Sequence, residues 1–144
     1  QLMLDTLLRT SGTYTTVGPY LGLISGASPT FLAADTMSSH SGWTEFTNYT
    51  VLGSAVRGTA SFASATSTGL TPSNVTSSTA TPITYTITGA GGTIYGCFLV
   101  TGSGASSTLS NTSGVLYSAG SFAVAKVTTA GDTVSVTYST TATS

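Results

Sequence analysis

A chain of 144 residues with three basic and four acidic side chains and a formal net charge of -1 falls far below the roughly 25% charged residues of ordinary globular domains. Three cations scattered along the sequence form no local basic patch, which excludes phosphate-driven binding of nucleic acid, and no apolar run reaches the roughly 18–20 residues of a helix that spans a bilayer. Cys97 is the single cysteine, so neither an intrachain disulfide nor a cysteine-based metal site is available.

Hydroxyls replace the missing charge. About a third of the chain is Ser or Thr, interspersed with 17 glycines. A free monomer ordinarily relies on a mixed, charged surface, whereas a Ser/Thr surface holds water without repelling a like neighbour. The composition therefore points to a subunit packed against copies of itself or against a larger assembly. The length fits one domain able to bury about 68–70% of its unfolded surface. Abundant Thr, Val, Tyr and Ile with scarce Lys, Glu and Gln favours strands over solvent-facing helices.

Along the chain, Leu2, Met3, Leu4, Leu7 and Leu8 stand close to helical spacing and Thr10-Ser11-Gly12 supplies a stop, predicting a short helix or arm over residues 1–12 ahead of one β domain over 13–144. Tyr20 to Ile24 reads as a buried strand, and Phe31 to Met37 as a helical turn or two. Trp43, Phe46 and Tyr49 recur every three residues, a spacing that keeps no single face of a strand; they read as an irregular segment covering the core. Thr59 to Ala63 is a weak strand; Ser64 to Thr81, long and nearly featureless, is either a functional loop or a strand, and reads as a partly extended loop. Ile83 to Thr88 alternates cleanly, with Ile83, Tyr85 and Ile87 on one face.

Gly89 to Gly92 turns into the strand Thr93 to Val100, apolar on both faces and therefore central. After a loop at Gly102 to Ser107 come three short strands, Val115 to Tyr117, Phe122 to Val127 and Thr133 to Tyr138, separated by Ser118-Ala119-Gly120 and Ala130-Gly131-Asp132. Short strands with frequent turn signals and no intervening helices predict an all-β fold, an antiparallel β-sandwich of immunoglobulin-like or jelly-roll type.

The residues for chemistry are few. His40 is the only imidazole, and Asp35, His40 and Glu45 form the one evenly spaced set resembling a two-carboxylate, one-histidine metal site. Gly42 and Trp43 interrupt any shared helical face, so His40 reads as a loop residue. No Gly-x-Ser-x-Gly elbow occurs, and Gly89 to Gly92 matches neither the phosphate-cradling nor the dinucleotide pattern. No catalytic residue, metal ligand or cofactor is assigned. Cys97, inside an apolar run, reads as a small buried hydrophobe. Trp43 reads first as a core anchor, with a stacking platform as the alternative. Arg57 and Lys126, the cations beyond the first segment, are placed to pair with Asp35, Glu45 or Asp132 across an interface.

The block Asp35-Thr36-Met37-Ser38-Ser39-His40-Ser41-Gly42-Trp43-Thr44-Glu45 resembles a family of small virion proteins of tailed bacteriophages encoded near the major capsid protein. Gly92 to Leu99, Gly114 to Tyr117 and Gly131 to Tyr138 echo the same family in the same order. The stretch from Leu52 to Thr81 departs from it, being almost wholly neutral where those relatives carry more charge. The resemblance implies a non-enzymatic virion structural protein whose partners are the major capsid protein or other virion subunits. The expectation is a homo-oligomeric decoration or cement protein that binds and stabilises the outside of the head shell, without membrane, nucleic acid or cofactor. Leu2, Leu4, Leu7 and Leu8 are the expected arm contacts; Trp43, Phe46 and Tyr49 are the next interface or interface-supporting group. A tail-fibre or receptor-binding module, and a secreted adhesin or filament subunit that exchanges a strand or arm, are the alternatives.

Overall fold

The computed structural model describes residues 17–63, 66–67 and 75–142. The predicted N-terminal helix or arm, with Leu2, Leu4, Leu7 and Leu8, lies outside the described residues. The described chain is all-β, with eleven strands and no helix: β1 (Tyr20–Ser25), β2 (Thr44–Phe46), β3 (Tyr49–Thr50), β4 (Gly58–Thr59), β5 (Thr66–Ser67), β6 (Val75–Ser78), β7 (Ile83–Ile87), β8 (Gly92–Thr101), β9 (Val115–Thr128), β10 (Thr133–Val136) and β11 (Ser139–Ala142).

Every pairing between these strands is antiparallel. One five-stranded sheet runs β2-β1-β8-β9, with β4 joining the β2 side of β1; two three-stranded sheets run β10-β7-β3 and β11-β6-β5. The three-stranded sheets meet end to end, where the Thr79 amide donates to the Tyr138 carbonyl at 2.8 Å.

Side-chain alternation explains how these layers meet. Ile83, Tyr85 and Ile87 are buried while Thr84 and Thr86 face water, so β7 presents a single apolar face to the five-stranded sheet. There they join Leu21, Leu23, Leu99 and Val136 in the larger core. The Tyr85 hydroxyl crosses between the layers to donate to the Leu21 carbonyl at 2.8 Å, which pairs a polar group that would otherwise be costly to bury. β1 and β8 are buried on both faces, as the absence of alternation predicts for β8. Their second face carries a smaller cluster of Ile24, Met37, Trp43, Phe98, Val100 and Ala105. Each such aliphatic or aromatic side chain contributes about 1.5–3 kcal/mol on burial.

Three sequence expectations are corrected. Phe31 to Met37 forms turns rather than a helical segment: the Asp35 carboxylate accepts the Leu32 amide at 3.0 Å, and Thr36 and Ser39 bridge each other. An Asp side chain that captures a nearby backbone amide competes with helix formation. The stretch from Ser64 to Thr81 includes strands β5 and β6, because β6 finds a ladder partner in the distant β11, which cannot be seen locally, and β5 adds to β6. Ser118-Ala119-Gly120 is no turn either. It lies within β9, paired with Leu99, Phe98 and Cys97, and a Cβ on the neighbouring Gly96 would stand 2.0 Å from the Gly120 carbonyl oxygen. Here glycine marks a close approach of two backbones rather than a change of direction.

β9 is nevertheless irregular. Ile94 pairs with Lys126 and Gly96 with Ser121, so Phe122, Ala123, Val124 and Ala125 stand against Tyr95 alone. Such a bulge bends the strand away from its neighbour.

Candidate functional site

The densest polar chemistry among the described residues lies on the second face of the five-stranded sheet. β2 and β4 both flank β1, and between them Gly22 leaves room for an aromatic ring: a Cβ at Gly22 would come within 2.4 Å of the Phe98 ring. Phe98 thus lies flat on the sheet and forms a platform. The Arg57 guanidinium sits over it, 5.0 Å from the ring centroid, a cation–π arrangement.

Glu45 on β2 faces Arg57 across this platform. The Arg57 Nε donates to Glu45 Oε1 at 2.8 Å and Nη2 to Oε2 at 2.7 Å, a bidentate pair. Both side chains are buried, at 1% and 8% exposure. Arg57 also donates to the carbonyls of Ser106 at 3.0 Å and Asn111 at 2.8 Å, and the Ser110 amide donates to Glu45 Oε2 at 2.7 Å. A buried ion pair is tolerated only when its remaining hydrogen-bonding groups are met; here the loop between β8 and β9 meets them. Arg57 was expected to pair across an interface. Its partner instead lies in the same chain, because β2 and β4 share one edge of β1. Lys126 has no ion pair among the described residues.

Above the ion pair, His40 stacks on Trp43 with ring centroids 3.7 Å apart and 12° between planes. The His40 Nδ1 lies 3.1 Å from the Trp43 carbonyl oxygen. Trp43 Nε1 donates to Asp35 Oδ2 at 3.3 Å, and the indole tilts against Phe98 at 5.1 Å. A cleft of about 240 Å³ opens over Met37, His40, Trp43, Glu45, Arg57 and Asn111. The evenly spaced Asp35, His40 and Glu45 do not converge on one point: Asp35 serves the indole and Leu32, His40 caps the indole face, and Glu45 is taken by Arg57. No group of three metal-ligating side chains occurs among the described residues. With its carboxylate and guanidinium held by each other and by backbone, the arrangement is suited to clamping a loop onto a sheet.

The three spaced aromatics separate. Trp43, at 3% exposure, belongs to the cluster around Phe98. Phe46 and Tyr49, at 5% and 1%, cross with the chain from β2 to β3 into the core between the layers. There Tyr49 meets Tyr85 edge-on at 4.9 Å. All three are therefore interior side chains of this chain, able to support a contact surface from beneath. The exposed apolar residues lie elsewhere: Leu32, Leu52 and Val17, and on β9 Val115, Val124 and Val127. Sequence reading missed those valines because a period-two pattern does not tell which face will be covered.

Burial also governs the titrating groups of the core. Cys97 is half-buried, and burial pushes its thiol from an ordinary 9.0 up to about 11, which keeps it protonated and unreactive near neutrality. Burial holds the Tyr49 and Tyr85 hydroxyls well above the usual phenol range. A folded-state value raised above the unfolded one means that the unfolded chain releases its proton first, so stability is full below about pH 9 and falls as pH rises towards 11. Chemical unfolding measured across this window should show that decline, and Cys97→Ala should shrink its early part; a flat profile would refute the burial of the thiol.

Comparison of the chain with protein-family models, with curated proteins and with solved structures yields no match in any of the three.

Proposed function

We propose that the stacked sheets form a β-sandwich serving as a non-enzymatic structural subunit of a tailed-phage virion, a decoration or cement protein on the outside of the head shell. The observation that carries this reading is the fate of the charges. Of the five charged residues in the described chain, Glu45 and Arg57 neutralise each other in the interior. Asp35 holds its own turn and the indole, and Asp132 caps a turn by accepting the Thr129 amide at 2.8 Å. Only Lys126 projects without such a role. An exterior of hydroxyls with few free charges suits permanent neighbours better than solitary life in solution. The four sequence blocks that resemble small virion proteins support the same assignment.

Binding then proceeds by burial of apolar area. A standard interface of roughly 1,600 Å² gives a large gross term that ordering and association entropy reduce to a modest net affinity, and many copies on one shell add up. In this proposal Leu2, Leu4, Leu7 and Leu8 reach the neighbour, while Trp43, Phe46 and Tyr49 brace the surface from inside. The test is the copy number and position of the chain in native particles, by quantitative mass spectrometry and cryo-electron microscopy. Hundreds of copies on the head are expected. A few copies at the tail would instead favour a fibre module, and absence from particles would end the virion reading.

A further inference from the structure

The two sides of the layered fold are finished differently. On one side β2 and β3, of three and two residues, are the edges, and Thr47-Asn48 carries the chain directly from one layer to the other. Asn48 seals that corner, its Nδ2 donating to the Gly91 carbonyl at 2.9 Å. On the other side β9, with 14 residues, borders the first layer, and β10 followed by β11 borders the second. Among the described residues each pairs on its inner side only. The Tyr117 hydroxyl lies 3.1 Å from Thr140 Oγ1, and Ser118 and Tyr138 are also hydrogen-bonded, so the two open edges lie side by side.

Natural proteins blunt such edges with charge, proline, brevity or a bulge. β9 is long and contains no proline; its larger bulge at Phe122 to Ala125 and its one charge, Lys126, both lie in its second half, which leaves Val115 to Ser121 as the less blunted edge. Three of the six exposed large hydrophobics of the described chain are on β9: Val115 at 60%, Val124 at 67% and Val127 at 82%. The bulged residues Phe122 to Ala125 have no registered partner on β8. Beside them a cleft of about 400 Å³ opens between Phe122, Val124 and Lys126 on one layer and Val134 and Val136 on the other.

We infer that this open side is where a second copy of the chain docks, β9 against β9, antiparallel about a two-fold axis. The occupant follows from three features. One long edge, set against short strands on the opposite side among the described residues, is self-complementary in a closed two-fold pair, whereas a filament needs two different surfaces. The ten residues of β8 alongside set the edge at about 33 Å long. Across two layers about 10 Å apart plus their side chains, the face is roughly 700 Å² per copy, close to the roughly 800 Å² per partner of a standard interface. A net charge of -1 imposes little repulsion between copies, and an antiparallel pair centred away from Lys126 sets no lysine opposite another. The inference rests on the reading of the chain as a self-associating subunit, whatever assembly it joins.

Sedimentation of the purified full chain over a concentration series at micromolar levels, where interfaces of this size associate, should show a dimer. Val124→Lys with Val127→Lys replaces exposed apolar side chains on the edge with charges that pairing would desolvate and should weaken association roughly tenfold or more. Leu52→Lys, fully exposed in the turn after β3, should leave it unchanged. Hydrogen exchange of the wild-type chain gives a reading independent of the variants: protection of amides 115–127 should rise with concentration. A wild-type monomer throughout, a dimer that survives both lysines, loss on Leu52→Lys, or concentration-independent protection would each overturn the inference. Occupation of the edge only in assembled particles would assign it to another protein's strand, also against it. Failure here leaves shell binding by a monomer intact, and absence from shells leaves the dimer intact.

Discussion

Arg57→Ala is expected to lower folding stability by about 3–5 kcal/mol, the cost of stranding one partner of a buried ion pair. Removal of the guanidinium leaves the Glu45 carboxylate without two donors, at 2.8 and 2.7 Å. It also unties the carbonyls of Ser106 and Asn111 and uncovers Phe98. Since a domain has about 5–15 kcal/mol of net stability, the variant should unfold at markedly lower urea or temperature. Arg57→Lys should be intermediate, because an ammonium cannot reproduce the planar fork. Replacing Arg57 and Glu45 together by leucine should recover much of the loss, since neither charge then remains buried alone. Urea unfolding of the three variants checks this. A loss under 1 kcal/mol for Arg57→Ala would show that the pair is solvated in solution and does not clamp the loop.

Trp43→Ala should cost a comparable amount, about 3–5 kcal/mol, as large-to-small changes of buried aromatics do. The indole fills the space between His40 and Phe98 and donates to Asp35, so its loss opens a cavity and removes the Asp35 partner at once. The segment from Phe31 to Trp43 would lose its main anchor on the sheet. Trp43→Phe keeps part of the volume and should cost less, with the missing N–H accounting for about 0.5–1.5 kcal/mol. Denaturation of the isolated chain separates this role from direct contact: a surface contact residue would change stability within about 0.5 kcal/mol while weakening assembly. Stability unchanged by Trp43→Ala would return Trp43 to the surface as a stacking platform.

How these residues were read from sequence follows the range of the interactions involved. Ile83, Tyr85 and Ile87 were legible because a strand with one covered face declares itself every second residue, and Thr93 to Val100 because a central strand has no wet face. Both signals sit within one segment. Ser118-Ala119-Gly120 was misread because a glycine needed for close approach to a partner strand looks the same in sequence as a glycine needed to turn. Phe31 to Met37 looks helical in its small, apolar composition, but the Asp35 side chain captures the Leu32 amide instead. Trp43, Phe46 and Tyr49 were recognised as a group related to the core, but their division between two clusters depends on the chain crossing from β2 to β3.

Sequence alone determined that this protein is built of strands and that hydroxyls far outnumber charges along it, since composition and two-residue periodicity are local properties. Tertiary structure alone decided that Glu45 and Arg57 meet over Phe98, that β9 passes through Gly120 unbroken, and that β9 and β10 pair on their inner sides alone among the described residues. Those outcomes depend on which strands become neighbours, and that choice is made by burial summed over residues distant in the chain.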